Sequence, residues 1–386
     1  MHESPPLMLI RAATVFCPAP IGVADILLGG GRILAIQPDL PIATLALPVK
    51  IIDGLGLWAC PGLVDGLVHV SGGGGEGGFA SRTPALNPGD AIAAGITSII
   101  GALGTDDITR SHADLLAATR SLQASGITGY ALTGSYHVPV TTLTGSVRAD
   151  LTLIPDIIGV GELAIADHRG SQPEAHELAR IAAEARVGGM LAGKAGTVLI
   201  HVGDGDEHLR LLHAVCDAHE VPIRQWQPTH INRSQGLLSA ALAWTRRGGS
   251  IDLTTSTTAA LTASGDVVAA QALHWLFANG VPLAQISMSS DGQASLPHFD
   301  AEGELLDLEV ARVGSLLETV RSAVIELHCA FADTITTVTR SPAEIWGLRS
   351  KGQLRVGADA DVLLLDPAQI EPVALIAGGR LHLLRQ

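Results

Sequence analysis

Five residues with metal-binding or proton-transfer chemistry stand at or near the ends of apolar runs: His69, Glu162, His201, His230 and Asp291. His69 closes Leu63–His69, His201 closes Thr197–His201 and His230 closes Ile223–His230. Glu162 lies inside Ile157–Ile165, and Asp291 follows Gln285–Ser290. If those runs are parallel strands of one barrel, their C-terminal ends share a face. Three imidazoles and two carboxylates on one face form a donor set that suits Zn²⁺. A single histidine ending an apolar strand is usually a packing residue. Five such groups at five strand ends point to a metal site. The stretch Pro61–Gly78 leads with His69 and runs into Gly72–Gly75 and Glu76, a strand opening into a glycine loop.

The elements that must position these groups follow a strand–loop–helix rhythm from Pro61 onward. Further strand-like runs occur at Thr97–Ala102, Tyr130–Thr133 and Ser250–Thr254. Helix-period stretches at Ile108–Ser125, Pro173–Leu191, Glu207–His219, Gln235–Arg247 and Val267–Asn279 separate most of the runs, several closed by glycine. Asp106 and Asp107 are suited to start the first of these helices. Eight strands, most followed by a helix, predict a (β/α)8 TIM barrel, an α/β fold. Residues 8–58 read as short strands with a hairpin turn between Gly29 and Arg32, and the tail after a short helix at Pro342–Leu348 returns to strands. The expected organisation is a small β-sandwich built from both termini, residues 1–60 and 345–386, around a barrel at 61–344.

Composition narrows the class. The 386 residues are 47% apolar but only 3% aromatic, which suits Ala, Leu, Ile and Val strands buried on both faces. A net charge of −14 argues against nucleic acid or an anionic membrane as partner. Cys17, Cys60, Cys216 and Cys329 are scattered, as expected of reduced thiols in a cytoplasmic protein. No apolar run is long enough for a membrane span, and no secretory leader is expected at the N-terminus.

Several segments are more specific. GGGGEGG at Gly72–Gly78, GALGTDDITR at Gly101–Arg110, LTGSYHVP at Leu132–Pro139, LTGSV at Leu143–Val147 and ADHR at Ala166–Arg169 come first. VGGMLAGKAG at Val187–Gly196, IHVGD at Ile200–Asp204, PTHINR at Pro228–Arg233 and SSDGQAS at Ser289–Ser295 follow. With these the chain resembles the isoaspartyl dipeptidases of the metal-dependent amidohydrolase superfamily over nearly its whole length. The tail GQLRVGADADVLLLD at Gly352–Asp366 is a general superfamily feature.

The resemblance implies two zinc ions. One is held by both histidines of an HxH motif and an aspartate after strand eight, the other by histidines ending strands five and six. A carboxylated lysine on strand four and a hydroxide bridge them. Matched by position, His69 is the second histidine of HxH, His201 and His230 hold the second ion, and Asp291 is the strand-eight aspartate. Two positions depart: Leu67 replaces the first histidine and Glu162 replaces the lysine. Glutamate places its carboxylate roughly 3–4 Å nearer the backbone than a carboxylated lysine would. Both changes fall on the first ion, so the expectation is one Zn²⁺ per chain on the His201/His230 side.

The resemblance also implies the substrate contacts. Glu76 matches the residue that recognises a free amino group, and Arg169 and Arg233 match carboxylate binders. Thr105, Tyr136 and Ser295 match further pocket positions, and Gly74 and Gly75 allow close backbone approach. Tyr136 would donate to the developing oxyanion, and Asp291 would carry the proton from water to the leaving amine. The implied activity is hydrolysis of a β-aspartyl dipeptide or a related amino-acid amide, in a homo-oligomer up to an octamer. Leu67 and Glu162 keep two alternatives open: an amidohydrolase acting on another aspartyl-like compound, and a metal-poor homologue with a binding or structural role.

Overall fold

A computed structural model describes residues 7–41, 48–299 and 305–385. Eight parallel strands follow one another through its centre: β6 (Leu63–Val68), β7 (Ile96–Gly101), β8 (Thr128–Thr133), β9 (Ile157–Ile165), β10 (Thr197–Val202), β11 (Trp226–Thr229), β12 (Ile251–Thr254) and β13 (Ile286–Ser289). They are numbered after the five N-terminal strands β1 (Leu7–Phe16), β2 (Pro20–Gly29), β3 (Arg32–Gln37), β4 (Val49–Asp53) and β5 (Trp58–Pro61). β6 to β11 form one ladder in sequence order and β12 pairs with β13. The ring closes where β13 packs beside β6, with a parallel bridge from Val68 to Gly292 and a hydrogen bond from His69 N to Gly292 O at 2.8 Å.

The barrel interior is an apolar plug. Leu67, Ile100, Leu132, Ile158 and Leu199, one each from β6 to β10, cluster with Ala343, Trp346 and Leu348 from beyond the barrel. Branched side chains fill such an interior densely, so the polar groups at the strand ends stand on a rigid floor.

The terminal strands form the expected second unit. Sheet order is β18-β17-β16-β5-β1-β2-β3, where β16 (Val362–Asp366), β17 (Glu371–Ala377) and β18 (Arg380–Leu383) come from the C-terminus. β1 pairs with β4 through Leu7–Arg11 and with β5 through Thr14–Val15. Between these segments its register against β2 shifts, and Ala12 takes φ 52°. A strand that changes partner at such a bulge folds a sheet over itself, here around Ile10, Val15, Ile26, Ile33, Val362 and Ile376. The hairpin turn expected at Gly29–Arg32 joins β2 to β3.

Some boundaries differ from expectation. The helix expected from Ile108 begins at His112, because Asp106 accepts from Ile108 N and Thr109 N and closes a turn. The N-cap is Ser111, which accepts from Asp114 N at 3.1 Å. The runs at Ile223 and Gln285 open as 3-10 turns after Pro222 and Pro282, and strand begins only at Trp226 and Ile286. Residues 295–340 contain a hairpin of β14 (Ser295–Phe299) and β15 (Leu305–Val310) and helices at Ser315–Ile325 and Phe331–Thr336, none anticipated above. All four cysteines are free thiols. No described helix is long and apolar enough to cross a membrane.

Candidate metal and substrate site

The five strand-end groups converge, but as three plus two. Glu162 Oε1 lies 2.8 Å from His201 Nδ1 and 3.0 Å from His230 Nε2. His69 Nε2 pairs instead with Asp291 Oδ1 at 3.2 Å and stands 3.9 Å from Glu162 Oε2. Glu162, His201, His230 and His69 are buried. His230 and Asp291 both take left-handed backbone, φ 61° and 53°, a strained conformation that recurs at functional positions.

Each histidine turns one ring nitrogen inward and ties down the other. His201 presents Nδ1, while its Nε2 meets Asp167 Oδ2 at 2.9 Å. His230 presents Nε2, and its Nδ1 meets Thr254 Oγ1 at 2.5 Å. His69 Nδ1 lies 3.2 Å from the Ala102 carbonyl. Outer partners of this kind fix the tautomer and ring plane of metal-binding histidines. Asn232 braces the outer layer, donating to Thr254 O and accepting from Thr254 N.

The electrostatics follow from this pairing. Burial pushes the Glu162 carboxyl up, but hydrogen bonds from His201 and His230 overcome it and hold it well below the usual carboxylate range. Burial, then the charges of His201 and Arg233, push His230 down to about 4, so its imidazole is neutral at pH 7. Burial opposes charge on His69 too, yet Asp291 and Glu162 raise it to about 9. Burial and the Glu162 charge keep the Tyr136 hydroxyl well above 10, hence protonated.

Among the described residues, Glu162, His201 and His230 are the group whose donor atoms could hold one cation, all lying within 4.8 Å of one another. Tetrahedral zinc, with bonds of about 2.0–2.1 Å, spaces its ligand atoms about 3.3 Å apart, so the two Glu162 contacts would open by a few tenths of an ångström. Glu162 Oε2 and Asp291 Oδ1 are buried without a hydrogen-bond partner; His69 approaches the latter at ion-pair distance without aligning its N–H. An unsatisfied buried oxygen on Glu162, whose other oxygen meets both His201 and His230, fits a cation there. A second cation is not supported: Leu67 offers no donor and is packed into the barrel plug. Lys194 offers no bridging group either, since its Nζ donates to the carbonyls of Leu151, Ile154 and Ile157, each at 2.7 Å.

At the rim, Glu76 Oε1 accepts from Thr105 Oγ1 at 3.0 Å and Oε2 accepts from Ser295 Oγ at 3.2 Å, with Arg169 Nη1 at 3.7 Å. Gly74 permits the close loop: at φ 70°, a Cβ there would sit 2.6 Å from Ser81 O and 3.1 Å from Ser295 Cβ. Gly75, at φ 110°, adjoins it. Tyr136 Oη reaches His201 Nδ1 at 2.7 Å, and Arg169 lies over the Tyr136 ring. Arg233 Nη1 donates to Val202 O at 3.1 Å and approaches His201 Nε2 at 2.9 Å. The residues expected to grip substrate therefore form one connected rim above the histidines. Asp167, Thr254 and Ala102 were not among those expected. Asp167 stands two residues before Arg169 in ADHR, whereas nothing in the sequence marks the other two.

The amidohydrolase family's sequence profile matches residues 58–380, the barrel and most of the C-terminal strands. The chain belongs to the amidohydrolase family. Among solved structures, the beta-aspartyl dipeptidase of the thermophilic, keratin-degrading Fervidobacterium islandicum AW-1, in complex with beta-Asp-Leu, is 40% identical. It superposes with a TM-score of 0.92 over 99% of this chain and 97% of that one. A second structure of a beta-aspartyl dipeptidase from the same organism is 38% identical, with a TM-score of 0.89 over 98% and 97%. The dihydropyrimidinase of Brevibacillus agri NCHU1002, at 15% identity and a TM-score of 0.67 over 98% and 96%, shares the fold. This amidohydrolase is thus a hydrolytic enzyme of α/β-barrel architecture.

Proposed function

We propose that this amidohydrolase hydrolyses β-aspartyl dipeptides with a single divalent cation, zinc by its donor set, held by Glu162, His201 and His230. The reading rests above all on Glu76, held by Thr105, Ser295 and Arg169 at the rim of that donor group, in a chain 40% identical to an enzyme solved with beta-Asp-Leu. A carboxylate with three polar neighbours is a ready partner for the free α-amino group, which the β-linkage leaves exposed. Arg169 and Arg233 would take the substrate carboxylates and so orient the amide towards the centre.

A cation so held would supply a water of lowered pKa and a polarised scissile carbonyl. Asp291, whose Oδ1 is buried without a hydrogen-bond partner, would accept the water's proton and return it to the leaving amine. Tyr136, kept protonated, donates to the carbonyl oxygen as it gains charge. His69 holds Asp291 in place through their 3.2 Å contact. The proposal extends to a homo-oligomer, up to an octamer, in the cytoplasm. Leu153, Met190 and Leu191, exposed on two helices that pack together, favour association, and light scattering that returns a monomer would remove that part.

The decisive test is metal content of protein purified without chelator, beside turnover of β-Asp-Leu by the wild type and by Asp291→Ala. One metal per chain and turnover lost in the variant are expected. Two metals, or none, would overturn the one-ion site. Tight binding of β-Asp-Leu without turnover would favour the binding-protein alternative, for which the apolar Leu67 argues.

A further inference from the structure

We propose that Asp167 is a positioning residue that sets the metal-facing tautomer of His201 and the aim of Arg169. This rests on reading Glu162, His201 and His230 as a cation site. Asp167 follows β9 directly behind Ala166, whose φ is 50°, and its side chain is 3% exposed. Gly203 lets the loop after β10 close over it, since a Cβ there would meet Asp167 Cβ at 2.6 Å. Asp167 Oδ2 lies 2.9 Å from His201 Nε2 and accepts from Arg169 Nη2 at 2.7 Å. Oδ1 accepts from Arg169 N at 2.8 Å and Nε at 3.0 Å. One buried carboxylate thus grips a histidine that faces the centre and an arginine that faces the rim.

The tautomer follows from the competing neighbours. His201 Nε2 is 2.9 Å from both Asp167 Oδ2, which only accepts, and Arg233 Nη1, which only donates. A lone pair on Nε2 would leave it facing a carboxylate lone pair. A proton on Nε2 satisfies Asp167, and Arg233 keeps the Val202 carbonyl as its acceptor. Nδ1 faces a carboxylate too, Glu162 Oε1 at 2.8 Å, but a cation held by Glu162, His201 and His230 would take the Nδ1 lone pair, and the ring proton then sits on Nε2 against Asp167. The paired charges also lock the Arg169 fork, leaving Nη1 as the arm directed at Glu76.

The test titrates metal-free wild type and Asp167→Asn with Co²⁺, read by visible absorption, followed by steady-state kinetics on β-Asp-Leu. The asparagine keeps the shape but loses the charge. Co²⁺ affinity should fall about 10–100-fold, and KM should rise as the Arg169 fork loosens. Equal affinities in the two proteins, or no Co²⁺ binding by the wild type, overturn the proposal. Absence of turnover together with the expected affinity ratio would sink the dipeptidase reading and leave Asp167 supported. Should the variant not fold, ¹⁵N shifts of the His201 ring in the metal-loaded wild type decide. A proton on Nε2 supports the assignment, and one on Nδ1 refutes it.

Discussion

Replacing Leu67 by histidine restores, on paper, the donor that the family pattern would place there. The structure predicts that the change destabilises the protein. Leu67 is fully buried among Val64, Ile100, Leu132, Ile158, Leu199 and Trp346. Burying such a side chain is worth about 1.5–3 kcal/mol, part of which an imidazole retains. A buried imidazole with no partner costs about 1–3 kcal/mol. The neighbours in this cluster are apolar apart from the tip of the Trp346 indole and the ring of Tyr130, so Leu67→His should cost about 2–5 kcal/mol in metal-free protein. A second ion bound by the new histidine would recover stability with the logarithm of its concentration, about 4 kcal/mol at a thousandfold excess over Kd. Urea midpoints of wild type and Leu67→His, with and without Zn²⁺, measure both terms. We expect a lowered midpoint and a Zn²⁺ increment no larger than in the wild type. A variant as stable as the wild type without metal would refute the packing argument. An extra Zn²⁺ increment of several kcal/mol would show that the first ion's pocket survives behind the leucine.

Glu162→Gln keeps the size but removes the charge that both histidines contact. Bound metal should fall below a tenth per chain on dialysis, and retention near one would contradict the donor assignment. Tyr136→Phe removes the hydroxyl donor at the carbonyl, and kcat for β-Asp-Leu should drop about 10²–10³-fold with KM little changed. Gly74→Ala drives a Cβ against Ser81 O and strains a left-handed φ; KM should rise while metal content stays constant, as dialysed samples would show. Asp65, buried under Ser290, has its pKa raised from 3.8 to about 7, chiefly by burial. Between those values the native state holds more protons than the unfolded one, so this group lowers stability as pH rises from about 4 to 7. Asp65→Asn should flatten that part of the pH–stability curve, and an unchanged slope in urea midpoints would count against it.

Much of the architecture is legible from the chain because it rests on local signals. The eight barrel runs announce themselves as short apolar stretches between helix-period segments, and Ile157–Ile165 coincides with β9 to the residue. The partner change in β1 was not legible, because a bulge costs only one register step and Ala12 looks like any other alanine in a strand. Nor was the start at His112, since Asp106 and Asp107 are as good turn formers as helix starters.

The sequence by itself placed His69, Glu162, His201, His230 and Asp291 on or just after five of the eight barrel strands, and the family resemblance marked Leu67 as a missing donor. Strand period and topology suffice for the placement of the five, because parallel strands share their C-terminal face. Only the tertiary structure decided how those five groups divide. Glu162 turns to His201 and His230, His69 turns to Asp291, and Leu67 sinks into the plug. Those choices depend on distances of a few ångströms between strands far apart in sequence, set by side-chain reach and by outer partners such as Asp167 and Thr254. No residue pattern encodes that reach.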